Sequence, residues 1–329
     1  MMFGVTNHVS GGLVIVLVSA MCAGCAAEPE QPAAAPEPEA ATPTAASLPA
    51  TIVAERGGFI PEGVEYDTTN GRLLAGSLSE GSIFQLHSDG RLTTIVSDPE
   101  LVSSVGIEAD EPRARLLVAN ADRSVFEGGS TGQAKLGVYD LASGERIAMV
   151  DLAAVLADAP ADASYFANDV AVGDDGTAYV TDTRMNVIYR VGTDYEASVL
   201  FRFEPMEGLG LNGIVYHPSG YLLVAGGATL WKVPVDDPTG ATQVMLPETV
   251  AGQDGMVWTA DGLLAIVSNS ESRVVALTSA DEWATAALAG VGAYEVQATT
   301  AAVVGDQIYV VHPHFADEDP PSVERVTLQ

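Results

Sequence analysis

Four dipeptides in this chain, Glu62-Gly63, Asn168-Asp169, Asn212-Gly213 and Asp254-Gly255, each put a side-chain oxygen donor directly before a small or acidic residue. With Val105-Gly106 they form a series whose second members lie 43, 63, 44 and 42 residues apart, and a weaker sixth copy falls near Thr299 and Thr300. Singly, Asn-Gly and Asp-Gly are turn dipeptides and Pro-Glu-Gly is ordinary at the start of a strand. In one phase of a repeat they converge. Carboxylates gathered at one point repel and raise their own pKa values unless protons or a cation neutralise them. Glu62 and Asp254 carry two formal negative charges, which one divalent ion balances, and Asn168 and Asn212 add neutral carbonyl oxygens. A set made only of oxygens favours a hard cation, Ca2+ first and then Mg2+ or Mn2+, over zinc. A carboxylate beside such an ion reaches both a bound substrate and water, which makes Asp254 the candidate catalytic base or nucleophile.

Something must hold these donors around one point, and the sequence between them supplies it. The stretch Leu211 to Ala225 runs as an apolar segment, a turn at His217, Pro218, Ser219 and Gly220, and a second apolar segment, the pattern of two joined strands. A period in the low forties with four short strands per unit is the signature of a β-propeller blade. In the fourth unit the strands are expected at Asn212 to His217, Tyr221 to Gly226, Ala228 to Pro234 and Ala241 to Leu246. In the third they fall at Asn168 to Gly173, Thr177 to Asp182, Asn186 to Val191 and Glu196 to Phe203. The sixth has only three, Ala298 to Val304, Gln307 to His312 and Ser322 to Leu328, so Thr51 to Arg56 is expected to supply the fourth and close the ring. The fold predicted is all-β, a six-bladed propeller over 51–329. The innermost strands of such a ring line its axis, and their first residues meet at one end of it. The long second interval comes from Arg123 to Gly137 and Asp151 to Tyr165, where Leu152, Val155 and Leu156 share a face. Both insertions should emerge on the face where the inner strands begin, and either is placed to form a lid.

Residues 1–25 read as a targeting segment. The apolar run Leu13 to Met21 is too short to span a bilayer. Cys22-Ala23-Gly24-Cys25 resembles a bacterial lipobox, in which Cys25 would carry the lipid; a plain secretory signal is the alternative, since the segment before the apolar run lacks Lys and Arg. Residues 26–50 are Ala, Pro, Glu and Thr with few large apolar side chains and read as a disordered tether. An exported protein, anchored to a bacterial membrane on its periplasmic or outer side, is the expectation. Cys22 and Cys25 are the only cysteines, so no disulfide braces the ring.

Hydrophobic residues make up 47% of the chain, enough for a sizeable core. With 44 acidic against 14 basic residues and a net charge of −30, nucleic acid is excluded as a partner, and a membrane can be engaged only through the N-terminal lipid. A small-molecule substrate is the expected partner. The acidic, arginine-biased surface fits either salt adaptation or a merely acidic exported protein.

Other residues invite a role. His312 and His314 follow the second strand of the sixth unit and would serve as a proton relay or stand solvated on the rim. Asn120 and Asp182 end the matching strands of units two and three, where hydrogen bonding behind the donors and a simple strand-end turn are both open. His217 sits in a turn. No nucleophile elbow, P-loop or dinucleotide fingerprint is present.

The segments FIPEGVEYD, ANDVAVGDDGTAYVTDT, GLNGIVYHPSGYLLVA and GQDGMVWTADG resemble the blade-start motifs of the SMP-30/gluconolactonase/luciferin-regenerating-enzyme family, which includes calcium-dependent phosphotriesterases of the diisopropylfluorophosphatase type. The resemblance spans Thr51 to Gln329. It implies one divalent ion on the axis of a six-bladed propeller, held by Glu62, Asn168, Asn212 and Asp254. Val105 and the Arg123 to Gly137 insertion depart from the best-known members. A metal-dependent hydrolase opening a lactone or related ester is the leading expectation; phosphotriester hydrolysis and a non-catalytic, lipid-anchored binding propeller are the alternatives.

Overall fold

Runs of aliphatic and β-branched residues become strands here, and the glycines between them make the turns. Tyr221–Gly226 follows a turn in which Gly220, at φ 84°, donates to the His217 carbonyl at 2.9 Å. The computed structural model describes residues 48–206, 208–316 and 319–329. Six sheets, antiparallel except for one short added strand, form the blades of a β-propeller. Their inner strands are Val64–Asp67, Ser103–Asp110, Tyr165–Val172, Leu211–His217, Gln253–Trp258 and Ala301–Val304. The core is not one lump but lies between neighbouring blades. Val215, Leu223 and Ala225 of blade four, for example, pack with Met256, Ile266 and Val275 of blade five.

The ring closes as the alternation predicts. Thr51–Val53 pairs antiparallel with Ser322–Val326, with Ile52 opposite Val323 and only 2% exposed. Docking begins slightly earlier, because the Leu48 carbonyl accepts from the Tyr309 hydroxyl at 2.9 Å. The targeting segment, Cys25 and the tether as far as residue 47 lie outside the described residues.

Three expectations need correction. The inner strand of blade six is Ala301–Val304 rather than Ala298 to Val304, because Thr299 hydrogen-bonds to Glu62 and Gly255 of the two neighbouring blades. The outer strand of blade four is only Thr242–Gln243, because the chain leaves its neighbour soon after it and pairs Met245 with Thr285 beside blade five. The inner strand of blade three starts at Tyr165 rather than Asn168, because part of the blade-two insertion, Gly132–Gln133, pairs with Tyr165 and Phe166 in parallel. The third sheet therefore has five strands. The same insertion carries a 3-10 turn, Arg123–Glu127, whose Phe126 ring meets Phe166 edge-on with centroids 4.8 Å apart. In the other insertion Leu152 and Leu156 are buried and Val155 packs against them.

The inner hairpins of blades one and two share a device that the repeat pattern does not announce. Asp67 pairs with Arg72 at 2.8 Å and Asp110 with Arg115 at 2.5 Å, all four buried. Each arginine also reaches the next blade, donating to the carbonyl of Leu141 or Gly176. The charges are thus paired and the spare donors satisfied, as burial requires.

Candidate functional site

Each donor dipeptide from blade two to blade five occupies a β-bulge. Ladder pairing skips between Ser104 and Ile107, Ala167 and Val170, Leu211 and Ile214, and Gln253 and Met256. The skipped residues are Val105-Gly106, Asn168-Asp169, Asn212-Gly213 and Asp254-Gly255. A bulge frees a residue from the ladder and re-aims its side chain. Glu62 and Gly63 fill the corresponding place in blade one, just before Val64–Asp67.

The small residue that follows lets adjacent blades approach closely. A Cβ on Gly63 would lie 2.2 Å from the Val105 carbonyl oxygen, one on Gly213 2.3 Å from that of Asp254, and one on Gly255 1.9 Å from the Thr300 hydroxyl. Blade three has Asp169 instead. Its carboxylate accepts from the backbone N–H groups of Val170 (2.9 Å) and Ile214 (3.1 Å), tying blade three to blade four.

Asn168, Asn212 and Asp254 are each 7% exposed, and Glu62 is half-buried. The hydroxyl of Thr183 donates to the Leu211 carbonyl at 2.7 Å, so it can only accept from the Asn168 amide nitrogen, 3.0 Å away. The Asn168 carbonyl oxygen is thereby left for a ligand. Thr181 holds the neighbouring bulge by donating to the Asn212 carbonyl at 2.7 Å. Asp254 accepts from the Asn269 amide at 2.9 Å and from the Asn212 side chain. At the sixth position the Thr299 hydroxyl donates to the Glu62 carbonyl at 2.8 Å.

A cavity of about 590 Å3 runs along the axis from Glu62, Asn168 and Asn212 towards the hairpin turns, where Asp174, Tyr216, His217, Pro218 and Trp258 line it. Three further carboxylates, Glu65, Glu108 and Asp169, line its wall, and among the described residues no Lys or Arg does. Burial, then the nearby charges of Asp254 and Asp169, raise the Glu62 carboxyl well above the usual carboxylate range. Burial pushes Asp254 and Asp169 each up to about 7, the former against opposing hydrogen bonds from Asn269 and Asn212. Glu65 is pushed up to about 8, chiefly by burial, and Glu108 is raised well above its usual value by burial and by Glu65.

Those three acids are not among the candidates the sequence offers, although a signal existed. Glu65 and Glu108 stand three residues after Glu62 and Val105, and Ala171, Val215 and Val257 hold the same phase in the next blades; all five line the cavity.

Among the described residues no group of three or more His, Cys, Asp or Glu side chains is arranged to hold a metal. Any ion at this site would depend on the two amides. With that condition the donors fit a hard divalent ion: a buried and a half-buried acid, each held at a cost in protonation, and an Asn168 oxygen turned away from its own hydrogen-bond partner.

The remaining sequence candidates sit elsewhere. Asn120 is buried and fully engaged, accepting from the Val102 N–H and the Gln133 amide and donating to the Glu100 carbonyl. Asp182 accepts from the N–H groups of Phe166, Arg184 and Met185 and from the Tyr189 hydroxyl, closing a strand-end turn. Neither of these hydrogen-bond sets reaches a donor. His312 is 1% exposed rather than on a solvated rim, lying 3.2 Å from both the Gln297 carbonyl and the Glu324 carboxylate. His314 is half-buried with a φ of 53°. Val105 is fully buried in the apolar cluster between blades two and three.

A six-bladed propeller with oxygen donors bulged onto its axis defines the class of protein. Residues 60–291 match the family described as SMP-30/Gluconolactonase/LRE-like region, and the chain belongs to that family. Among solved structures, the major allergen Mala s 1 of Malassezia sympodialis is 19% identical with a TM-score of 0.71, the match covering 85% of this chain and 97% of that one. Regucalcin from Agrobacterium tumefaciens, described as a calcium-binding protein, is 18% identical with a TM-score of 0.59, covering 85% and 95%. A luciferin-regenerating enzyme is 12% identical with a TM-score of 0.59, covering 84% and 94%. At these identities the likeness is one of fold. No curated protein matches the chain by sequence.

Proposed function

We propose that this protein is a divalent-metal-dependent hydrolase that opens neutral lactones or related esters at the axial donor set, with calcium as the preferred ion. One observation carries the reading. Glu62, Asn168 and Asn212 line one end of a single cavity, the Asp254 carboxylate stands behind them against the Asn212 side chain, and hydrogen bonding leaves the Asn168 carbonyl oxygen directed away from its support. Family membership supports the hydrolase class, and the calcium-binding regucalcin neighbour supports the choice of ion.

A bound divalent ion would polarise the substrate carbonyl and offset the charge of the two acids. The protein's own groups do the rest. Asn168 and Asn212 orient the substrate oxygen, and Asp254 accepts a proton as water adds to the carbonyl carbon. Breaking the ring C–O bond then yields a hydroxyl and a carboxylic acid, with the proton returned to the leaving oxygen. The acid ionises, and a cavity wall to which no Lys or Arg of the described residues contributes offers its carboxylate no side-chain counter-charge, which disfavours its retention. For the same reason a neutral lactone is a better substrate than one bearing a carboxylate or phosphate.

Calcium titration by calorimetry followed by assay on a lactone, ester and phosphotriester panel tests this reading. Calcium-dependent lactone hydrolysis that disappears in Asp254→Asn, with the fold intact, is expected. Tight calcium binding with no turnover on any member would replace the hydrolase with a binding propeller, and preferential turnover of phosphotriesters would move the substrate class.

A further inference from the structure

In blades three and five the residue just after the second strand orients that blade's own donor. Thr183 follows Ala178–Asp182 and holds Asn168; Asn269 follows Leu264–Ser268 and donates to Asp254 Oδ2 at 2.9 Å. An amide can face a carboxylate with either end, and the wrong end would repel it. The carboxylate only accepts, so it takes the Asn269 nitrogen, and Gln297 braces that choice by donating its Nε2 to Asn269 Oδ1 at 2.6 Å. Gln297 is itself anchored, since its backbone carbonyl lies 3.2 Å from the Nδ1 of buried His312, whose other nitrogen lies 3.2 Å from Glu324. The line runs from an exposed Gln297 through a half-buried Asn269 to an Asp254 that is 7% exposed.

We infer that Asn269, braced by Gln297, is a positioning residue that fixes the Asp254 carboxylate by holding Oδ2, while the Asn212 side chain donates to the same carboxylate from the axial side. The role of Asp254 as ligand and base rests on the function proposed above; the orientation of its side chain does not. Neither Asn269 nor Gln297 touches the reacting atoms, and both act through Asp254. Partners of this kind behind a ligand are worth about 10- to 100-fold in metal affinity or activity.

The test uses Asn269→Leu, which is nearly isosteric, Asn269→Thr, which restores a hydroxyl donor in the manner of Thr183, and Gln297→Ala at the exposed end. Three readouts are taken for each: calcium affinity by calorimetry, kcat and KM separately on the best lactone, and the Asp254 rotamer in crystals of the metal-free variant. Expected are a 10- to 100-fold loss of calcium affinity and a fall in kcat with little change in KM for Asn269→Leu, recovery to within about threefold for Asn269→Thr, and a loss of up to about tenfold for Gln297→Ala. Calcium affinity and kcat within twofold of the parent in both Asn269→Leu and Gln297→Ala would overturn the inference. Should the parent bind no calcium and hydrolyse nothing, the proposed function fails on its own, and the crystals still decide: a rotated Asp254 in Asn269→Leu supports the positioning role, and an unmoved one refutes it. If Asn269→Leu does not fold, Gln297→Ala, at a solvent-exposed position, decides by the same readouts.

Discussion

The crowded acids of the cavity wall should make stability depend on pH, and Glu65→Gln tests this. Burial is the largest cause of the rise of the Glu65 carboxyl from 4.5 to about 8, with Glu111, Asp169 and Asp67 adding repulsion. A carboxyl raised on folding binds its proton more tightly in the native state than in the unfolded chain. Its contribution is therefore intact below the unfolded pKa, near 4.5, and is lost as pH climbs through about 8. At about 1.4 kcal/mol for each tenfold change in proton affinity, the ceiling on that loss is about 5 kcal/mol. Neighbouring carboxyls share the repulsion and channel water relieves part of the burial, so removing this one charge should recover about 1–2 kcal/mol above pH 8. For a domain of roughly this size that is about 2–6 °C in Tm. Melts of parent and Glu65→Gln in chelator, from pH 4 to pH 9, measure it. The two curves should coincide near pH 4 and separate progressively to pH 8, with the variant the more stable. Coincident curves at pH 9, or a gap that is largest at pH 4, would refute the view that Glu65 is held protonated by its surroundings.

Further outcomes follow from the packing. Gly255→Ala places a Cβ 1.9 Å from the Thr300 hydroxyl and should cost more than about 2 kcal/mol and disturb the Asp254 bulge, whereas Gly129→Ala, with nothing within 4 Å, should lie within about 0.5 kcal/mol of the parent; thermal melts compare them. Deleting residues 48–53 strips the partner from Ser322–Val326 and should lower Tm and promote self-association, read by light scattering. Tm should rise with sodium chloride as the net charge of −30 is screened, and a flat salt series would remove the idea of salt adaptation.

Much of the architecture was legible in the chain because the same pattern is written repeatedly. Strand positions at Tyr221–Gly226 and Gln307–His312 agree with the pattern residue for residue, since Gly220 and Gly227 bound the first run and Gly305 and Pro313 the second. The failures have local causes. Pairing of Met245 with Thr285 shortened an outer strand, and Gly132–Gln133 lengthened an inner one by pairing with it from another blade. Three residues that line the axial cavity, Glu62, Asn168 and Asn212, could be picked out where a phase was compared, and Glu65 and Glu108, one phase further on, could not because it was not compared. His312 looked like a rim residue because it ends a strand on the right face, but Tyr294 packs against it and Gln297 and Glu324 lie at its two nitrogens.

By itself the sequence determined the number of blades, the strand that closes them and the four donors held in one phase, because a repeat period and a side-chain alternation are properties of the chain. Tertiary structure decided the rest. Only the bulges turn Asn168, Asn212 and Asp254 out of their ladders, and only contacts between distant segments set which end of each amide faces inward: Thr183 with Leu211, Asn269 with Asp254 and Gln297. The crowding of Glu65, Glu108 and Asp169 around one cavity is likewise invisible until the ring closes, because burial and repulsion depend on distances across the axis rather than along the chain.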